Sequence, residues 1–184
     1  AATTQTYSVY SGELSDSALS KLGDGAMVVG YGQHHEEGRF IEGGSVYNRW
    51  MGYTQITGYD DEKGGTLSAV LVPGGAALAG GDSGGPLMSW TSSGQGVIFG
   101  TAAYARDNQN NGRYTDLGDE SFWSFIGEQA DFIRDVALKY GETVSFYNDA
   151  DLAACRQGST CPLSGPGSVS HAPEPSEWAL LLAG

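Results

Sequence analysis

Glycine punctuates this chain, at 29 of 184 positions, and the apolar residues between the glycines come in short runs. A polypeptide interrupted that often builds long helices poorly, because each interior glycine costs about 1 kcal/mol relative to alanine. It suits short strands joined by turns. No G-X-Y period accompanies the glycine, so a collagen helix is excluded. Ala26-Met27-Val28-Val29-Gly30-Tyr31-Gly32 reads as a buried strand ending in a glycine turn. Residues 53–59 alternate as a half-buried strand does, and residues 67–72 form another, stopped by Pro73-Gly74-Gly75. Residues 86–90 and 96–104 read as a hairpin around Ser92-Ser93-Gly94-Gln95. One stretch departs from this pattern. Over residues 128–140, Phe132, Ile133, Val136, Ala137 and Tyr140 share a single helical face, and Gly141 follows as a stop. The sequence therefore predicts an all-β body with one late helix.

The length suits one domain, or one domain with a tail. Hydrophobic residues make up 40% of the chain, too many for a disordered acidic protein. The net charge of -13 argues against a nucleic-acid partner, which needs clustered Lys and Arg, and against an anionic membrane surface. The chain has no initiator Met and no signal peptide, so it is expected to start at a processing site or to be a fragment.

The most informative stretch is Gly80-Gly81-Asp82-Ser83-Gly84-Gly85-Pro86. Its glycines let the backbone turn tightly and approach a substrate closely. A serine held on such a turn presents its hydroxyl, and the amides of Gly81 and Ser83 can point together at a developing oxyanion. The bland reading is a glycine-rich turn between strands. Six specified residues in a row, from Gly81 to Pro86, are far more specific than that reading requires.

Gly-Asp-Ser-Gly-Gly-Pro resembles the nucleophile signature of the chymotrypsin-like (trypsin-like) serine peptidases. Val28-Val29-Gly30-Tyr31-Gly32 is similar to the strand that opens that family's second β-barrel, and Phe99-Gly100-Thr101-Ala102-Ala103-Tyr104 to the strand beside the substrate. Residues 128–140 are similar to its closing helix. The resemblance covers roughly residues 20–141. It implies the second antiparallel β-barrel of a double-barrel fold with a C-terminal helix, over residues 1–141, with the first barrel absent. It implies Ser83 as the nucleophile of an endopeptidase, the Gly81 and Ser83 amides as oxyanion hole, and Asp82, Gly84, Gly85 and Pro86 as the supporting motif. In the family Asp82 often pairs with a new N-terminal amine, for which nothing here offers a partner.

The chain departs from the family in its partners for Ser83. The family's order is His, Asp, Ser, with the first two in or near the first barrel. His34 and His35 follow the opening strand, too late for a catalytic base, and sit beside Glu36 and Glu37 as expected surface residues. His171 lies in the tail. Asp16, in Asp16-Ser17-Ala18-Leu19, faintly resembles the family's Asp-Ile-Ala-Leu but sits too close to Gly30. The chain alone is therefore expected to be nearly inactive, since a serine hydroxyl without a base is a weak nucleophile. By position, Ala77 stands where trypsins carry an aspartate, and Ala103, Tyr104 and Ala105 form the pocket wall, with Ala105 in place of the usual glycine. That implies a small or medium apolar residue before the scissile bond. The partner is a peptide or protein substrate, and no cofactor or metal is implied.

Beyond residue 141 the character changes to a linker, 142–171, rich in Pro and Gly and expected to be flexible. Ala172-Pro173-Glu174-Pro175-Ser176-Glu177-Trp178 and the apolar residues 179–184 resemble the start of a PEP-CTERM sorting signal, cut before its membrane helix is complete. That resemblance implies export by a Gram-negative bacterium, processing by an exosortase, and a secreted or outer-envelope location. In an oxidising compartment Cys155 and Cys161 most simply form one disulfide. Two other readings stay open. A peptidase-like barrel can serve as a non-catalytic surface binding module. The acidic stretch Asp107-Asn108-Gln109-Asn110-Asn111-Gly112, with Asp116, Asp119 and Glu120, suggests a calcium-stabilised adhesion domain, but Gly118 stands where an EF-hand needs its last acid. A polar surface loop is the favoured reading there.

Overall fold

The computed structural model describes residues 7–13, 15, 19, 22, 25–33, 35–36, 39–40, 49–60, 65–91, 95–148 and 152–153. Its strands are β1 (Tyr7–Tyr10), β2 (Ala26–Gly30), β3 (His35–Glu36), β4 (Arg39–Phe40), β5 (Trp50–Thr54), β6 (Gly58–Asp60), β7 (Thr66–Val70), β8 (Pro86–Thr91), β9 (Gly96–Arg106) and β10 (Glu120–Phe125). A 3₁₀ turn (Gly127–Gln129) leads into the helix α1 (Ala130–Lys139), and the short strands β11 (Phe146–Tyr147) and β12 (Leu152–Ala153) follow.

The main sheet runs β5-β2-β8-β9-β10-β7-β6, with every neighbouring pair on that path antiparallel. Its two ends, β5 and β6, are consecutive in the chain and joined by residues 55–57. One bent stretch thus serves both edges and returns the sheet on itself, which removes exposed strand edges. The alternating run at 53–59 was expected as a single strand. It divides instead, with Thr54 opposite Ala26 on β2 and Gly58 opposite Ser68 on β7. The chain must leave one neighbour to reach the other, and the bend at 55–57 does that. The expected hairpin is present as β8 and β9, closed by Thr91 N–H donating to Gln95 O at 2.9 Å.

The core follows from the inward side chains of these strands. Leu67, Leu87, Val97, Phe99, Trp123 and Phe125 are buried in one cluster, each contributing about 1.5–3 kcal/mol by leaving water. Met27, Met88 and Trp90 form a second. β1 enters parallel to β9, with Tyr7 opposite Gly96, and β11 lies parallel to β1. Tyr10 anchors it by stacking on Phe99 with centroids 4.8 Å apart.

Helix α1 starts with Asp131 in its first turn and ends with Lys139 in its last, both suited to the helix dipole. Gly141, at φ 72°, stops it, while Glu142 N–H donates to Ala137 O and Gly141 N–H to Leu138 O. Its expected apolar face is not buried. Phe132 is 66% exposed, Tyr140 69% and Val136 38%, and Ala130 is the buried residue of the helix. The periodicity was real, but the described residues supply no surface to cover it.

Candidate active site

The site is built where the turn after β7 meets the outer half of β9. Gly84 N–H donates to Ala102 O at 2.9 Å and Ala102 N–H to Gly85 O at 2.8 Å, which fastens the turn at residues 80–85 to β9. Gly81 takes φ 100°, a conformation side chains rarely adopt, and so the Gly at this position permits the turn. Asp82 N–H donates to Ala79 O, and Gly85 N–H to Asp82 O. Among the described residues the amides of Gly81 and Ser83 donate to nothing. Two unused amides flank an exposed serine, the arrangement that an oxyanion would satisfy.

Asp82 holds this turn against the β2 end of the sheet. Its Oδ1 accepts from Gly32 N–H at 2.7 Å and its Oδ2 from Ala79 N–H at 2.9 Å. Hydrogen bonds from amides to a carboxylate are stronger than neutral ones. The close approach requires Gly30, where a Cβ would stand 1.9 Å from Asp82 Oδ1. Gln33 N–H donates to Gly80 O at 2.8 Å and ties the same two segments again. The turn is thereby braced within the domain by backbone donors to Asp82, in place of the N-terminal amine for which the chain offered no candidate.

A cavity of about 270 Å³ opens beside Ser83, lined by Leu78, Ala79, Gly80, Asp82, residues 102–105 and Tyr114. Ala103, Tyr104 and Ala105 are among its lining residues. Ala77 does not, and its neighbour Leu78 takes that place, fixed by Ser121 Oγ accepting from Leu78 N–H at 2.9 Å. Tyr114, from the turn between β9 and β10, had no motif or periodicity to mark it. The pairing of β8 with β9 stops at Pro86 opposite Thr101. Past Ala102 the same edge of β9 has no strand partner among the described residues.

The acidic turn between β9 and β10 is organised by amides. Asp107 accepts from Gln109 N–H at 3.0 Å and Gly112 N–H at 2.6 Å. The buried Asp119 accepts from Asn108 N–H at 3.0 Å and Asp116 N–H at 2.8 Å. These carboxylates are engaged by the chain itself. Asp16, His34, His171, Cys155, Cys161 and the segment 172–184 lie outside the described residues, and of His35 only the backbone is described.

The family model for trypsin matches residues 2–120, more than half of the chain. No curated protein matches it.

Proposed function

Because this chain belongs to the trypsin family, we propose that it is the nucleophile-bearing part of an exported serine endopeptidase. Ser83 Oγ attacks the substrate carbonyl carbon while a base takes its proton. The carbonyl oxygen becomes an oxyanion between the amides of Gly81 and Ser83. The amine leaves, and water then releases the acyl group. The base and its orienting acid come from a first barrel outside residues 1–184. The edge of β9 beside the cavity, without a strand partner among the described residues, offers the substrate a place to add as an extra strand.

The observation that carries this reading is the exposed Ser83 between two undonated amides on a turn braced by Asp82. Export, exosortase processing and a Cys155–Cys161 disulfide complete the proposal on the strength of the tail sequence alone. The same free strand edge also favours a second reading, a module that holds peptides without cutting them.

A fluorophosphonate serine probe read by intact mass separates the two. The chain alone is expected to label slowly or not at all, and the chain joined to its upstream barrel to label at Ser83 and to lose that label in Ser83→Ala. Persistent failure of the joined protein to label would replace the enzyme by the peptide-holding module. Rapid labelling of the chain alone would place the base within residues 1–184.

A further inference from the structure

The polar turn between β9 and β10 carries a chemistry that peptide cleavage does not use. It contains Asn111-Gly112, both exposed to water. An asparagine followed by glycine is open to attack by its own backbone, because the glycine has no side chain to shield its amide nitrogen. The side-chain oxygen of Asn111 accepts from Arg113 N–H at 2.9 Å, which forms an Asx turn. That bond closes a ring containing both Asn111 Cγ and the Gly112 nitrogen, the two atoms that have to join. Holding reacting atoms in one ring removes most of the entropy cost of their meeting. Asn110 at φ 53° and Gly112 at φ 82° keep the chain in this bend. We propose that Asn111-Gly112 is a self-modifying site, which loses the Asn111 side-chain amide as ammonia and so unlatches the turn that carries Tyr114. In the first step the Gly112 nitrogen gives its proton to water and bonds to Asn111 Cγ. The Cγ–Nδ2 bond then breaks, and Nδ2 takes a proton from water and leaves as ammonia. One water molecule opens the resulting succinimide at either carbonyl, leaving aspartate or isoaspartate at that position.

Two carboxylates set the pace. Gly112 N–H, which must give up its proton, donates to Asp107 Oδ2 at 2.6 Å. Asn111 Nδ2, which must leave, donates to Asp116 Oδ2 at 2.7 Å. Hydrogen bonds to a charged acceptor are stronger than neutral ones, and the charge on Asp107 opposes a second negative charge on the nitrogen beside it. The reaction therefore waits for the turn to open locally, and these bonds set how often it does. The same contacts decide the consequence. Once Nδ2 has gone, a carboxylate faces Asp116 where a donor stood, and like charges at that distance repel. Asp116 N–H is held by the buried Asp119, which also accepts from Asn108 N–H. Repulsion at Asp116 thus pulls on the bonds that organise the turn. Tyr114 lies between Asn111 and Asp116 and lines the cavity beside Ser83, so the modification reaches the site. A chain of net charge -13 is also poorly placed to absorb one more negative group.

The test warms the full chain at neutral pH and maps its peptides over time. It reads the Asn-to-Asp mass gain and the separately eluting isoaspartate isomer. Asn111 is expected to convert at least about tenfold faster than Asn108 and Asn110 in the same turn, a small part of what orientation of reacting atoms supplies, and to give both isomers. Asp107→Ala releases the Gly112 N–H and is expected to speed the conversion about tenfold, the lower end of what a hydrogen bond to a charged group contributes. Asn111→Gln, whose longer side chain moves the carbonyl carbon out of the ring, is expected to abolish it. Asn111→Asp copies the product and is expected to raise hydrogen exchange across residues 107–119 at least about tenfold, by weakening the bonds that protect those amides. Conversion of Asn111 no faster than that of Asn108, or aspartate without isoaspartate, would overturn the modification site. Slower conversion in Asp107→Ala would overturn the restraint assigned to that carboxylate. Unchanged exchange in Asn111→Asp would overturn the latch. None of these readouts depends on catalysis at Ser83.

Discussion

The turn at residues 80–85 and the helix α1 both stand out in the sequence, and they meet opposite fates. In the turn, the Asp82 carboxylate and the amides of Asp82, Gly84 and Gly85 find partners within the domain, while the amides of Gly80, Gly81 and Ser83 have none among the described residues. In the helix the backbone is bonded as well, yet on its apolar side Phe132 and Tyr140 are each about two-thirds exposed and Val136 between them is exposed too. The difference lies in where the partners are. The turn is completed by β2 and β9, which the same chain supplies. The apolar side of the helix is a surface that the described residues do not cover, and contiguous exposed apolar groups mark an interaction site or an aggregation liability.

That contrast makes graded predictions. The largest effect is expected from Asp82→Ala, which strands the amides of Gly32 and Ala79. At 1–3 kcal/mol per unsatisfied buried group, a loss of about 3–4 kcal/mol follows, read as a drop in thermal midpoint of about 10 °C. A drop of a degree or less would show that Asp82 does not brace the turn. Gly30→Ala should come next, at about 2–3 kcal/mol, because its methyl group overlaps Asp82 Oδ1 and the sheet must give way. Denaturant unfolding measures it, and an unchanged midpoint would break the claimed close approach.

Gly81→Ala should cost about 1–2 kcal/mol of stability from its positive φ. In the protein joined to its upstream barrel it should slow probe labelling by about 10²-fold, through misplacement of an oxyanion donor. Equal labelling rates would remove Gly81 from the oxyanion site. The smallest change is expected on the helix. Phe132→Ser should shift stability by no more than about 0.5 kcal/mol, as surface substitutions do, and should lower self-association in sedimentation. A cost above 2 kcal/mol would mean that the helix is packed after all, and the contrast would fail.

Strands β2, β7, β8 and β9 and the helix were legible as periodic or apolar runs bounded by glycine and proline. Strand β1 was not, since Tyr7-Ser8-Val9-Tyr10 is short and gains its place from pairing with β9, far along the chain. Strand β10 escaped notice for a similar reason, with Phe122 and Trp123 adjacent and a pairing irregularity between them instead of strict alternation. At the site, Ser83 and its glycines were legible because a tight turn restricts residue types locally. Tyr114 was not, because an exposed tyrosine in a polar turn carries no signal until the turn is folded against β9.

The sequence by itself determined the chemistry that the turn can offer. Only a hydroxyl flanked by glycines of permitted geometry lets a nucleophile and two amides face one point. It also determined that the body would be short strands, since glycine at that frequency leaves little else. The tertiary structure decided what surrounds that chemistry. It consumed Asp82 on the amides of Gly32 and Ala79, put Leu78 rather than Ala77 in the cavity, and brought Tyr114 to its wall. These outcomes depend on distances between segments dozens of residues apart, and such distances are set by the closing of the sheet rather than by any local preference.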